Sequence, residues 1–135
     1  MREIIFKAKR IDNGEWVEGS CVNVLNEHFY IFTGKLDISN GYLDFEKYSV
    51  NPETICQFTG LYDKNGNKIW ENDIVKDLIN GDVYSCEWNH GNCEYGLRNN
   101  KELFGLGYAA LYNYQVIGNI FDNPELLKGG KRWED

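Results

Sequence analysis

Five carboxylates lie close together in the middle of the chain: Asp63, Glu71, Asp73, Asp77 and Asp82. Paired carboxylates can perform acid–base catalysis or hold a cation. The stretch departs from the calcium-loop pattern, because its glycine follows Asp63 too early. Asn65-Gly66 is instead a two-residue turn signal. We therefore expect a hairpin in which Asp63 faces Lys68, with Asp73 bonding backbone amides at the next bend.

Three zinc-type side chains follow downstream: Cys86, His90 and Cys93. No CxxC pair accompanies them. A hairpin with a four-residue loop at 89–92 would set Cys86 opposite Tyr95 and Cys93 opposite Trp88. The two sulfurs would then lie diagonally, about 7–8 Å apart. We favour two small apolar side chains in or near the core over a metal site, and we predict no metal and no cofactor.

Nucleophilic catalysis lacks its usual partners in this sequence. A cysteine nucleophile needs a base, and the histidines available are His28 and His90. There is no GxSxG serine motif, and the glycines of "GLGYAA" do not form a phosphate-binding fingerprint. The sequence therefore favours a protein that is not an enzyme and predicts no catalytic residues.

The 135-residue chain has the size of one domain, and 15% of its residues are aromatic. This composition suits sheets better than helix bundles. The net charge of −7 argues against broad clamping of a phosphate backbone. Basic residues are dispersed apart from "KAKR" (7–10) and "KGGKR" (128–132), so nucleic-acid binding stays a minority alternative.

No long apolar run follows the charged start, and nothing approaches the ~18 apolar residues of a membrane span. We expect a cytoplasmic protein of a bacterial host that does not contact membranes. Its four cysteines, Cys21, Cys56, Cys86 and Cys93, should be mostly reduced there.

Turn signals and alternation predict the supporting elements. Asn13-Gly14 predicts a first hairpin with Lys9 opposite Glu18 and Ile11 opposite Trp16. That hairpin would place four residues on one face: Phe6, Ala8, Val17 and Cys21. Residues 28–32 predict an aromatic strand, and the polar stretch 33–53 an irregular connection.

The C-terminal third predicts a final strand at 114–121 and a short helix. Asn123 would cap this helix, with Pro124 at its first position. The tail 128–135 should be loose. The whole predicts a mostly β, single-domain protein over 1–127, built as an antiparallel barrel or pseudo-barrel with a short C-terminal helix.

Two long motifs give the chain a family resemblance. "NPETICQFTGLYDKNGNKIWENDIVK" (51–76) and "VIGNIFDNPELL" (116–127), together with the opening "MREIIFKAKRIDNGEWVEG", resemble the YopX family of phage and prophage proteins. The resemblance runs from residue 1 to about 127. It implies a mostly β fold that assembles into oligomers, and it carries no established activity or ligand.

The resemblance marks a set of motif positions whose role we expect to be structural: Thr59, Gly60, Leu61, Asp63, Gly66, Asp73, Ile74, Val75, Gly118, Asn119, Asn123 and Pro124. Two positions depart from the family pattern. Asn72 stands where glycine is usual, and asparagine still tolerates a left-handed bend. Cys56 stands where a small residue is usual, so a cysteine-centred function would be peculiar to this chain.

Three hypotheses remain at this stage. The leading one is an accessory phage protein that acts as an oligomeric binding or scaffolding module, with phage or host proteins as partners. The second is a small nucleic-acid-binding barrel in phage replication or regulation. The third is an enzyme or metal site built on Asp63, Glu71 and Asp73, or on Cys86, His90 and Cys93.

Overall fold

The computed structural model describes residues 3–38, 41–99, 103–106 and 113–127. The chain divides into two compact units, Met1–Phe58 and Thr59–Asp135. The strands are β1 (Phe6–Lys9), β2 (Trp16–Val24), β3 (His28–Asp37), β4 (Asp44–Ser49), β5 (Cys56–Tyr62), β6 (Lys68–Trp70), β7 (Asp73–Asp77), β8 (Val83–Asn89), β9 (Glu94–Arg98), β10 (Leu103–Gly105) and β11 (Tyr114–Asn119). Short 3-10 turns span Pro52–Thr54 and Pro124–Leu127. No helix within the described ranges is long and apolar enough to cross a membrane.

The strands form two antiparallel sheets, which confirms the mostly β prediction. The first has the order β4-β3-β2-β1-β5-β6, and the second has the order β10-β9-β8-β7-β11. Among the described strands neither sheet closes on itself, so the prediction of a closed barrel is wrong. Closure would require the two edge strands of one sheet to pair with a matching stagger. Here β4 and β6 end one sheet, and β10 and β11 end the other.

The first hairpin forms, but with a longer loop than predicted. Lys9 lies opposite Trp16 and Lys7 opposite Glu18, so the register is shifted by two residues. The amide of Gly14 donates to the carbonyl of Arg10 at 2.9 Å, and Gly14 has a φ of 73°. The loop is therefore the four residues 11–14. A shift of two keeps each side chain on its face, so the predicted core face survives.

The prediction of an irregular connection over 33–53 is wrong. β3 continues to Asp37, and β4 pairs with it from Asp44 onward. The register shifts between Phe32 and Leu36, and Gly34 has a φ of 91°. A bulge of this kind breaks the two-residue alternation. For that reason the strand could not be recognised from its sequence pattern.

Each unit has its own buried core. In the first unit Ala8, Ile31 and Val50 are buried, and Phe6, Val17, Cys21, Phe29 and Ile55 pack against them. In the second unit the hydrophobic core cluster consists of Ile69, Val75, Tyr84, Cys86, Leu97, Leu106 and Tyr114. The apolar alternation of the paired strands therefore supplies one core per unit.

The predicted C-terminal helix is wrong, because only a single 3-10 turn forms at Pro124–Leu127. The amide of Leu126 donates to the carbonyl of Asn123 at 3.0 Å, which is the three-residue spacing of a 3-10 turn. The Asn123 side chain accepts from the amide of Asn119, which precedes the turn. Its oxygen thus fixes the end of β11 instead of capping a helix.

Candidate functional site

The motif positions lie in the second unit, and Asp63 joins two separate segments of it. Its carboxylate is buried, with 4% of the residue exposed. Oδ1 accepts from the amides of Asn65 and Asn67, both at 2.9 Å. Oδ2 accepts from the amide of Val116 at 2.9 Å and from Nδ2 of Asn67 at 3.3 Å. The carboxylate therefore satisfies three backbone donors from two separate segments.

The loop that follows Asp63 differs from the predicted two-residue turn. The amide of Gly66 donates to the carbonyl of Asp63 at 3.1 Å, and Gly66 has a φ of 81°. The amide of Asp63 donates to the carbonyl of Asn67 at 2.8 Å. This is a three-residue loop, a turn followed by a left-handed glycine. Asp63 therefore faces Asn67, and the predicted Asp63–Lys68 pairing is wrong.

The electrostatics of Asp63 follow from these contacts. Burial on its own would raise the pKa of the Asp63 carboxyl. Hydrogen bonds from Val116, Asn67 and Asn65 outweigh burial, so the pKa lies below its ordinary value. Donors that converge on a carboxylate stabilise its charged form. An ionised group held this way suits a structural anchor and is poorly suited to act as a general acid.

The bend at Asn72–Asp73 is the second anchor. Asn72 has a φ of 72°, so it adopts the left-handed conformation expected there. Its amide donates to the carbonyl of Cys86 at 2.8 Å, and its carbonyl accepts from Ile120 at 3.0 Å. Oδ2 of the buried Asp73 accepts from the amide of Trp70 at 2.8 Å. The prediction that Asp73 acts as a backbone clamp is confirmed.

The C-terminal motif forms a third anchor around Gly118. A Cβ atom at Gly118 would lie 2.4 Å from Oδ1 and 2.7 Å from Cγ of Asn123. The missing side chain lets Asn123 approach and accept from the Asn119 amide at 3.2 Å. The Asn119 carboxamide accepts in turn from Phe121 and Asp122, each at 2.9 Å.

The remaining motif residues also contact backbone or core. The hydroxyl of Thr59 donates to the carbonyl of Ile69 at 2.7 Å and accepts from the amide of Leu61 at 3.2 Å. Gly60 has a φ of 89° within β5. Ile74 and Val75 are fully buried in β7, and Pro124 opens the last 3-10 turn.

The other candidate carboxylates do not join Asp63 and Asp73 in a cation site. Asp77 is a turn residue whose Oδ1 accepts from the amides of Ile79 at 2.8 Å and Asn80 at 3.4 Å. Glu71 and Asp82 are both half-buried. Within the described part of the chain, no group of three His, Cys, Asp or Glu side chains could hold a metal ion.

The candidate cysteine cluster is dispersed by its hairpin. Cys86 lies opposite Leu97 and is fully buried, and Trp88 lies opposite Tyr95. This register again differs by two residues from the predicted one. The loop is residues 90–93, where Cys93 is exposed and has a φ of 52°. His90 packs edge-on against Trp88, 6.4 Å away between ring centroids.

An exposed apolar surface lies at the end of the β3–β4 hairpin, and the sequence pattern did not predict it. We call residues 36–38 and 41–45 the apolar arm. Five large side chains of the arm are between 58% and 79% exposed: Leu36, Ile38, Tyr42, Leu43 and Phe45. Leu36 and Phe45 are cross-strand partners beyond the register shift. The signal in the sequence was the apolar content of "GYLDF" inside a polar stretch.

Comparisons with known proteins place the chain in a family. The sequence matches the family model described as YopX protein over residues 5–128. The fold is similar to the crystal structure of protein EF1440 from Enterococcus faecalis, with a TM-score of 0.64 and 26% sequence identity. That match covers 94% of this chain and 99% of the other. No curated protein matches the sequence. The chain therefore belongs to the YopX family.

Proposed function

We propose that this protein is a non-catalytic binding or scaffolding module that works as an oligomer. The observation that carries the proposal is the apolar arm, whose five large side chains face solvent. Clusters of exposed apolar side chains are typical of protein–protein contact sites. The motif residues support the non-catalytic part of the proposal, because the described contacts of their polar side chains go mainly to backbone groups.

The proposed occupant of the arm is a second copy of this chain. Tyr42 and Phe45 supply the aromatic area that is enriched in protein interfaces. β4 is an edge strand of its sheet, and the arm extends from it. A protein that exposes such an edge either protects it or uses it for association. Membership of the YopX family supports the second option, because the resemblance implies assembly.

The biological setting is part of the same proposal. We place the protein among accessory proteins of phage or prophage origin that act in the host cytoplasm. Phage or host proteins are then the expected further partners.

Sedimentation velocity at micromolar concentration tests the oligomer. We would change Leu36→Lys together with Phe45→Glu, which removes apolar area but keeps the net charge and a favourable cross-strand pair. The proposal expects the native chain to sediment as an oligomer and the variant as a monomer. A matched control is Ile4→Lys with Ile79→Glu, which changes two exposed apolar residues outside the arm.

Two outcomes would contradict the proposal. A native chain that sediments as a clean monomer would contradict the proposed oligomeric state. Equal dissociation by the arm variant and the control would remove the arm as its contact surface.

A further inference from the structure

Four Asn-Gly dipeptides occur in the chain, at 13–14, 40–41, 65–66 and 80–81. In this dipeptide the backbone amide of the glycine can attack the asparagine carboxamide, because glycine has no side chain to hinder the approach. The described residues include three of the pairs in full, whereas Asn40 lies outside them. Spontaneous deamidation at these three pairs depends on what holds each carboxamide and each attacking amide.

The backbones of the three pairs are similar. Their glycines, Gly14, Gly66 and Gly81, have φ values of 73°, 81° and 82°. Each glycine amide donates to a backbone carbonyl, at 2.9 Å, 3.1 Å and 2.8 Å in the same order. All three asparagines are exposed, so water reaches each of them. The attacking amide therefore distinguishes the pairs little, although its hydrogen bond is longest at Gly66.

The carboxamides of Asn13 and Asn80 are held by hydrogen bonds. Oδ1 of Asn13 accepts from the amide of Glu15 at 2.9 Å. Oδ1 of Asn80 accepts from the amide of Asp82 at 2.8 Å. Both are Asx-turns, in which the side chain binds the backbone two residues further on. Before either carboxamide can turn toward the glycine amide, this hydrogen bond must break.

The carboxamide of Asn65 lacks this restraint because of Asp63. The amide two residues after Asn65 is that of Asn67, which corresponds in position to the amides of Glu15 and Asp82. Asn67 donates it to Oδ1 of Asp63 at 2.9 Å, so it is already satisfied. Among the described hydrogen bonds, none involves the Asn65 carboxamide, whose own backbone amide also donates to Asp63. The Asn65 carboxamide can therefore turn toward Gly66 without first breaking a bond.

We propose that Asn65 is a deamidation site of the folded chain and that its conversion weakens the Asp63 anchor. The carboxylate that fixes the loop between β5 and β6 takes the amide that would otherwise hold the Asn65 side chain. Asn65 therefore reacts faster than Asn13 and Asn80, although all three precede a glycine of similar conformation.

The reaction needs only water. The Gly66 amide nitrogen gives up its proton to water or hydroxide and forms a bond to Cγ of Asn65. The Cγ–Nδ2 bond breaks, and the departing nitrogen takes up a proton and leaves as ammonia. Water then adds to one of the two carbonyl carbons of the resulting succinimide, and the bond from that carbon to the ring nitrogen breaks. Opening at Cγ gives aspartate, and opening at the main-chain carbonyl gives isoaspartate.

Either product changes the surroundings of Asp63. Aspartate at position 65 adds a carboxylate two residues from that of Asp63, in a chain whose net charge is already −7. Isoaspartate carries the main chain through Cγ and inserts a methylene group between the amides of residues 65 and 67. Oδ1 of Asp63 accepts from both of those amides at 2.9 Å, so the lengthened loop no longer fits the carboxylate. We expect the modified chain to unfold at a lower urea concentration.

Peptide mapping measures the reaction at each pair. The protein is kept at mildly alkaline pH, either folded in buffer or unfolded in guanidinium chloride. A glutamate-specific protease then releases the three pairs in separate peptides, 4–15, 54–71 and 72–87. Tandem mass spectrometry locates the mass gain that accompanies conversion of an amide to an acid.

The folded and unfolded chains should give different ratios of rates. In the folded chain we expect Asn65 to react at least about fivefold faster than Asn13 and Asn80, the factor by which an ordinary hydrogen bond restrains the other two carboxamides. In guanidinium chloride those hydrogen bonds are absent, so the three rates should lie much closer together.

A pair of variants tests the effect on the anchor. Asn65→Gln keeps a carboxamide but requires a larger ring for the same attack, so it should react far more slowly. Asn13→Gln is the matched control at an exposed asparagine that also precedes glycine. Storage at alkaline pH should lower the midpoint of urea unfolding for the native chain and for Asn13→Gln, and it should lower that of Asn65→Gln much less.

Three results would overturn the proposal. The first is a rate at Asn65 in the folded chain that is no higher than the rates at Asn13 and Asn80. The second is the same ratio of rates in guanidinium chloride, which would assign the difference to neighbouring residues in the sequence. The third is a loss of stability on storage that is equal in Asn65→Gln and Asn13→Gln, which would show that the modification leaves the anchor intact.

Discussion

The carboxylate of Asp63 accepts a hydrogen bond from the amide of Val116 at 2.9 Å, across 53 residues of sequence. A second hydrogen bond joins the same two segments. The amide of Lys64 donates to the carbonyl of Tyr114 at 3.1 Å. The loop between β5 and β6 is thereby fixed to β11. The polar residues of this loop therefore have a structural role.

Replacing Asp63→Asn should strongly destabilise the protein. The carboxamide nitrogen cannot accept, so at least one buried amide donor would lose its partner. Leaving buried donors unsatisfied in such a network costs about 3 kcal/mol. Urea unfolding measures the change. Asp12→Asn is the control, because Asp12 is an exposed residue in an ion pair with Arg10, and its replacement should change the stability far less. Equal effects of the two changes would contradict the anchor role of Asp63.

The same carboxylate predicts how stability depends on pH. Its pKa is lowered in the folded state, so its contribution is present above the unfolded pKa of about 3.9. The contribution is lost as the pH falls through the lower, folded pKa. The stability difference between the native chain and Asp63→Asn should therefore shrink on acidification below about pH 4. Urea unfolding from pH 7 to pH 3 measures it, and a constant difference would contradict the assignment.

Gly118→Ala should destabilise the C-terminal anchor by about 2 kcal/mol, because the new methyl group would overlap the Asn123 side chain. Adding Asn123→Gly removes that overlap, so the double variant should lose less than the sum of the single losses. Thermal unfolding of the native chain, the two single variants and the double variant gives the coupling free energy between positions 118 and 123. Gly91→Ala serves as a control, since the nearest atom there is a side-chain oxygen at 3.3 Å. Strict additivity would show that the close approach has no energetic role.

Asn72 offers a test of backbone conformation. Asn72→Ala should cost about 1 kcal/mol, because alanine resists the left-handed conformation that this bend requires. Asn72→Gly should cost less than Asn72→Ala, since glycine adopts positive φ readily. Chemical unfolding of both variants compares them directly. Similar losses in both would mean that the asparagine side chain, and not its φ, stabilises the bend.

The cysteines should differ sharply in reactivity. Cys93 is exposed, whereas Cys56 and Cys86 are buried. Burial also raises the pKa of the Cys21 thiol, which lowers its thiolate fraction. A thiol reagent should modify Cys93 first under native conditions, and Cys93→Ser should abolish this fast phase. A fast phase that survives in Cys93→Ser but disappears in Cys21→Ser would contradict the order.

The sequence was sufficient to predict the β class, the three hairpins, the family and the Asp73 clamp, because each depends on local signals. The strand registers of the hairpins were harder to predict. Asn13-Gly14 and Asn65-Gly66 resemble two-residue turns, yet both glycines end longer loops. The longer form of the second loop depends on Asp63, whose carboxylate accepts from the amides of Asn65 and Asn67. The length of such a loop cannot be predicted from its Asn-Gly dipeptide alone.

The features missed were those that depend on tertiary structure. The bulge after Phe32 breaks the two-residue alternation, so neither β4 nor the apolar arm could be recognised from the sequence. The predicted helix at Pro124 failed because the Asn123 side chain bonds to Asn119.

The bond from Asp63 to Val116 also constrains the order of events during synthesis. On the ribosome, Asp63 emerges long before Val116, so for that interval its carboxylate lacks one of its donors. The β5–β6 hairpin can form early from local contacts, but β11 must arrive before the second unit reaches its final hydrogen bonding. Non-local closure of this kind is slow relative to hairpin formation. β11 therefore completes the hydrogen bonding of the Asp63 carboxylate after the β5–β6 hairpin has formed.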